Sequence, residues 1–174
     1  MNPFNEVKEI KNQATKEIGN KTKAFENTSS EVREVRHIPT INEKLEGKTY
    51  PGTNVEYRKR IFKLNGEWVE GVFPKFDSKF DTGLPKNLWM ASDNDQLIEC
   101  TKKLKQRIES DSEFAKGFTP RQIEQIKAGE KRITGLTWHH NEIPGRMQLV
   151  NSETHQICRH TGGRSIWGGG SECR

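Results

Sequence analysis

Apolar positions are sparse along this chain, and they gather into a few patterned stretches. Residues 1 to about 36 consist mainly of Lys, Glu, Asn, Thr and Ser, with Phe4, Val7, Ile10 and Ile18 as isolated apolar points. The spacing from Phe4 to Ile10 permits a weak amphipathic helix, which the run from Asn27 to Ser30 breaks. This segment, 1–36, reads as a polar linker or arm, with a helix that docks on a partner as the alternative. Residues 37–53 contain Pro39, Gly47, Pro51 and Gly52 and read as loop. From Tyr57 to Phe73 the texture turns β-rich around Asn65-Gly66. Asn-Gly takes the positive φ angles of a two-residue type I′ turn, so a hairpin is expected here. Its first strand carries Arg58, Lys59, Arg60 and Lys63, which read as a wet strand face or as phosphate contacts.

The next stretch, from Pro74 to Gln96, reads as irregular with spaced aromatics. Phe73, Phe76, Phe80, Leu84, Leu88 and Trp89 are expected to wrap the hairpin and begin the core. Ser92 and Asp93 can cap a helix from about Asn94 to Ser110, with apolar points at Leu97, Ile98, Leu104 and Ile108. Thr119-Pro120-Arg121-Gln122 is a second helix start. Thr is the cap, Pro fills the first turn and Gln occupies the capping-box position. That helix should run to about Lys127 and stop at Gly129. After Glu130 the chain becomes rich in Gly, His, Arg and Trp. The expected organisation is a hairpin-plus-helices part over 37–129 and a separate module over 130–174. Ile133 to His140 reads as a strand, Gly145 to Val150 as its antiparallel partner, and Glu153 to Arg159 as a helix capped by Ser152. The fold class is therefore α+β, a small helical and β-hairpin N-terminal part followed by a C-terminal β-β-α module.

Composition narrows the class. Of the 174 residues, 30% are hydrophobic and 30% charged, lean for a compact core of this length, so part of the chain should pack poorly alone or pack on a partner. The formal net charge of +5 suits a polyanionic substrate without demanding one. Cys100, Cys158 and Cys173 form no CxxC pair and read as reduced thiols. No apolar run is long enough to span a membrane, and the N-terminus lacks a signal-peptide core.

The chemistry is concentrated in one window. Four of the five histidines, His139, His140, His155 and His160, lie between Trp138 and Trp167, and no Asp occurs from Glu130 onward. Neutral imidazole is the commonest transition-metal ligand and the usual base near neutral pH. Neighbouring residues of a strand point to opposite faces, so His139 and His140 should not share one metal. One faces the metal and the other sits beside the open position, as ligand and general base. Arg146 and Arg164 are candidates to hold a phosphate. Glu142 could anchor an Arg, orient a His or lie exposed. Trp138 reads as core; Trp167 and Gly168 to Gly170 read as packing and turn.

The stretch from Thr137 to Val150, followed by His155 and His160-Thr161-Gly162-Gly163, resembles the HNH/endonuclease VII superfamily of ββα-metal (His-Me finger) nucleases. More narrowly it is similar to the toxin branch with a Trp-His-His motif, the nuclease domains of colicin-like bacteriocins and of polymorphic or contact-dependent toxins. The segment from Glu70 to Pro85 is also similar to what precedes this motif there, so the resemblance covers about Asn42 to Gly170. It implies a metal-dependent endonuclease, DNA being the first choice of substrate and RNA or tRNA the alternative. It implies one divalent ion (Zn, Ni, Mn or Mg) on His139, His155 and His160. His140 is then the general base, and Gln148 the residue that holds the base and its loop. From the residues themselves, Arg146 is the candidate to act on the phosphate, Arg164 is a candidate substrate contact, and Arg159 reads as a solvated or phosphate-touching charge. The resemblance also implies an acidic immunity protein as partner and a larger secreted toxin, delivered from a producer and acting in the target-cell cytoplasm.

His155 and His160 depart from the family spacing. They lie roughly 140° apart on an ideal helix. His160 can ligate only if the helix ends before it and the Gly162-Gly163 turn swings it back; otherwise it contacts phosphate, and Cys158 is an outside candidate ligand. From a different class, the window could be a closed structural zinc site in a non-catalytic nucleic-acid-binding module, or part of an interaction protein that has lost activity.

Overall fold

The structure is a computed structural model and describes residues 34–173. The arm expected over 1–36 falls almost wholly outside the described residues. Its last residues do not continue as arm or loop: Val35–His37 forms β1, parallel to the second strand of the hairpin.

The hairpin forms as expected, though longer. Strands β2 (Glu56–Leu64) and β3 (Glu67–Lys75) pair antiparallel from Glu56↔Lys75 to Leu64↔Glu67. Asn65 and Gly66 take φ of 51° and 91°, the two left-handed positions of a type I′ turn. With β1 they make a sheet of order β1-β3-β2.

A second sheet has the order β4-β6-β5. Strands β5 (Leu136–His140) and β6 (Arg146–Asn151) are the expected pair, with His139 opposite Gln148. Strand β4 (Ser78–Gly83) was not foreseen, because that stretch read as irregular. It is short, polar and bulged between Ser78 and Phe80, so its alternation is weak; pairing with β6 organises it. The sheet that carries the two histidines thus takes its third strand from well upstream of residue 130.

Helix α1 (Asp93–Ser110) starts at Ser92, whose side chain accepts from the Asp95 amide. It buries Leu104 and Ile108 as expected, along with Gln96, Cys100 and Thr101, while Ile98 is exposed. A single-turn helix, α2 (Ser112–Ala115), follows. Helix α3 (Pro120–Ala128) has the expected capping box and ends at Gly129 in the left-handed region. Helix α4 (Ser152–Ile157) follows β6 directly and is capped by Asn151, not Ser152. Helix α5 (Gly163–Ile166) closes the described chain together with a 3-10 turn. The architecture is α+β.

Among the described residues, two apolar clusters hold it. The larger joins Phe62, Val69, Phe73, Leu84, Leu104, Ile126, Trp138, Met147 and Leu149, with Phe80 and Trp89 packed against it. The smaller joins Val55, Tyr57, Val72, Phe76, Val150 and Cys158. The aromatics of the 73–89 stretch accordingly divide between the two.

Candidate metal centre

Strand alternation separates the adjacent histidines. Trp138 and His140 face α1, where Trp138 Nε1 donates to Thr101 Oγ1 at 3.3 Å and His140 meets Gln96. His139 points to the other face and packs against Phe76, with ring centroids 4.9 Å apart.

His155 comes up to the same place from α4. The helix ends at Ile157, so His160 is beyond it, on the turn that begins the HTGG run. This removes the 140° mismatch of a continuous helix. Upstream residues grip that turn: Asn42 Nδ2 and the Tyr57 hydroxyl both donate to the Arg159 carbonyl at 2.7 Å, and the Ile41 amide donates to Thr161 Oγ1 at 3.0 Å. Gly163 closes it, in a position where an added Cβ would lie 2.0 Å from the Asn141 carbonyl oxygen.

One ring nitrogen from each of His139, His155 and His160 lies within 4.8 Å of the other two. His139 Nδ1 is 3.2 Å from His155 Nε2 and 3.3 Å from His160 Nε2. A single proton on His139 Nδ1 cannot serve both neighbours. Nitrogens bound tetrahedrally at the usual zinc distance would be about 3.3 Å apart, which is the spacing of the two pairs that include His139. His160 Nδ1 donates to the Cys158 carbonyl at 2.6 Å, so the lone pair of its neutral ring is on Nε2, toward the cluster. The Phe76 ring covers all three imidazoles at 4.9–5.3 Å. The donor set therefore fits a divalent ion that accepts imidazole. Cys158 lies outside the cluster: it is buried, with Sγ 3.7 Å from Thr53 Oγ1.

The electrostatics keep the cluster neutral. Burial, followed by the neighbouring histidines, holds His139 well below its ordinary pKa. Burial and the proximity of His160 and His140 bring His155 down to about 4. Burial also lowers His160. The unfolded chain then binds more protons than the folded one below about pH 6.5, so folding stability is full above that value and falls as pH drops toward 4. Metal-free protein in EDTA should accordingly lose Tm between pH 6.5 and 4.5, and His155→Ala should show a shallower loss. Glu142, raised by burial, works in the opposite direction, so the difference between the two proteins is what to read. Equal slopes would contradict the assignment.

A cationic cleft adjoins the cluster. It has a volume of about 620 Å³, and its wall includes Arg58, Arg60, Lys75, Lys79, Arg107 and Arg146. Phe76 lines it too, and links it to the histidines. A second depression, of about 800 Å³, shares Arg58, Lys75, Phe76 and Lys79 and continues toward α4. Two acids that line the cleft pair with its arginines, while Arg58 and Arg107 pair with Glu56 and Asp111. Asp81 binds Arg146, with Arg146 Nε 3.1 Å from its Oδ2, and Glu142, buried, accepts from Arg60 Nε at 3.1 Å. Burial alone would raise the Asp81 carboxyl; hydrogen bonds from Ser78, Arg146 and Gln148 outweigh it and hold it below the ordinary range.

The remaining expected residues are spread more widely. Gln148 is buried, donates to Asp81 at 3.0 Å and accepts from Asn141 Nδ2 at 2.9 Å, so it braces the turn after His140. The His140 ring is held by Gln96, which the sequence reading did not single out. Arg159 is exposed beside the cluster. Arg164 lies apart from the two depressions. It is 4% exposed, 3.0 Å from Asp93 at the start of α1, and donates to the Ala91 and Cys173 carbonyls. That position fastens the C-terminal segment to α1. Trp167 is likewise structural, donating to the Asn141 carbonyl at 2.8 Å.

The family model described as the DNase/tRNase domain of colicin-like bacteriocin matches residues 65–162, more than half of the chain. No curated protein and no solved structure matches.

Proposed function

The chain belongs to the family of DNase/tRNase domains of colicin-like bacteriocins, and on that premise we propose that it is a metal-dependent HNH-type endonuclease of the Trp-His-His branch. The observation that carries this reading is the convergence of three imidazole nitrogens from His139, His155 and His160, with His140 on the opposite face of the same strand. The three would hold one divalent ion. All-imidazole donation favours zinc or nickel, with manganese or magnesium as weaker occupants. When bound, such an ion supplies a Lewis acid that takes up charge on the scissile phosphate and the leaving oxygen.

The protein's own groups do the rest. His140 removes a proton from the attacking water. Arg146, aimed into the cleft by Asp81, takes the phosphate, and exposed Arg159 can add a backbone contact. Gln148 holds the loop through Asn141. The substrate backbone lies along the cationic cleft and reaches the histidines past Phe76. Contacts to phosphate without base reading suit DNA cut with little sequence preference.

Charges that line both depressions should act through phosphate neutralisation. The double variant Lys75→Gln/Lys79→Gln is expected to weaken DNA binding at low salt and to flatten the dependence of log K on log salt by about 1 per lost contact. An unchanged slope would remove these lysines from the substrate path.

The setting proposed is a toxin delivered from a producer cell as part of a larger protein, acting in the target cytoplasm and blocked in the producer by an acidic immunity protein. Among the described residues no helix is long and apolar enough to cross a membrane. The test is cleavage of plasmid DNA and of tRNA by purified protein, with EDTA and with Mg²⁺, Mn²⁺, Ni²⁺ or Zn²⁺ restored. Metal-dependent loss of one substrate supports the reading and names the substrate. No cleavage with any ion would favour a zinc-stabilised binding module instead.

A further inference from the structure

Gln96 is fully buried on α1, one turn after the Ser92 cap, outside the strand pair and helix that carry the histidines. A buried amide is stable only when its polar atoms are bonded. Its nitrogen donates to the Leu88 and Trp89 carbonyls, each at 2.8 Å, which occupies both N–H groups and fixes which end of the amide is oxygen. Its Oε1 lies 2.7 Å from His140 Nε2. A carbonyl oxygen only accepts, so His140 Nε2 must carry a proton, and in the neutral ring the lone pair is on Nδ1. The Trp167 ring packs against the imidazole at 5.6 Å and limits its rotation.

We propose that Gln96 is a positioning residue for the nuclease reaction, holding His140 in the Nε2–H tautomer so that Nδ1 is the atom that takes the proton from water. This rests on the reading of His140 as the base. Filling space would need no acceptor at this point, since methionine has nearly the same length and volume. The two donated hydrogen bonds anchor the loop before α1, whereas the third bond orients the imidazole.

The test uses the whole chain and three readouts. Long-range ¹⁵N–¹H spectra of the wild type should show the His140 proton on Nε2, and Gln96→Met should give a mixture of tautomers. In the same variant kcat should fall by about 10²-fold, with KM and metal affinity unchanged. Adding Gln96→Met to His140→Ala should cause no further loss of activity, because a residue that acts only through His140 has nothing left to position. A wild-type proton on Nδ1 overturns the proposal even if the variant fails to fold. A wild type that cleaves, with Gln96→Met equally fast, overturns the role of Gln96 alone. A wild type that cleaves neither DNA nor RNA overturns the nuclease reading itself.

Discussion

Replacing His140 by alanine should slow cleavage by a factor of about 10² to 10⁴ while metal binding stays at the wild-type level. The two properties separate because His139 and His140 face opposite sides of β5. The ion would be held on the Phe76 side, and His140 is turned to α1. The substitution also leaves the Gln96 oxygen without its partner, at a cost of about 1–3 kcal/mol. Activity must therefore be compared at a temperature where both proteins are folded, as judged by circular dichroism. Wild-type rates in His140→Ala would exclude it as the base. Loss of metal together with activity would mean that the two histidines form one site.

The largest structural effect is expected at Gly163. A Cβ there would lie 2.0 Å from the Asn141 carbonyl oxygen and 2.3 Å from Trp167 Nε1. Those two atoms are themselves hydrogen-bonded at 2.8 Å, so neither can retreat cheaply. Overpacking of this kind costs about 1–3 kcal/mol or more, and a fall in Tm on the order of 10 °C should follow for Gly163→Ala. Metal affinity should fall as well, because the displaced segment carries His160. A thermal melt and a metal titration of the variant check both effects. A variant with the wild-type Tm would show that the turn has room the structure does not show.

The features legible in the sequence are those set by neighbouring residues. Asn65-Gly66 specifies its own turn, and Thr119 to Gln122 specifies its own cap; neither needs the rest of the chain. The histidine window was legible for a similar reason, since strand alternation separates His139 from His140 before any tertiary contact is known. Its one open question was the five-residue step from His155 to His160. The answer came from distant groups, Asn42 and Tyr57, which grip the Arg159 carbonyl and keep the turn outside the helix.

What stayed hidden depends on long-range pairing. Strand β4 has little pattern of its own and becomes a strand against β6. Gln96 reads as an ordinary polar helix residue; the turn before α1 takes its two N–H groups, and only the packing of α1 on β5 gives its oxygen a partner in His140. Arg146 and Arg164 are equivalent as sequence symbols. One lies in the cleft paired with Asp81, and the other is buried against Asp93. A charge count could not have separated them.

On the proposed reading, the three-histidine cluster holds the ion that makes this domain a nuclease. The most direct measurement adds one metal stepwise to metal-stripped protein and follows binding and nucleic-acid cleavage in the same samples, for wild type and His155→Ala. Cleavage should rise in step with one ion bound per chain, and His155→Ala should lose both. Cleavage that persists without metal, or one tightly bound ion with no cleavage of either DNA or RNA, would contradict that reading.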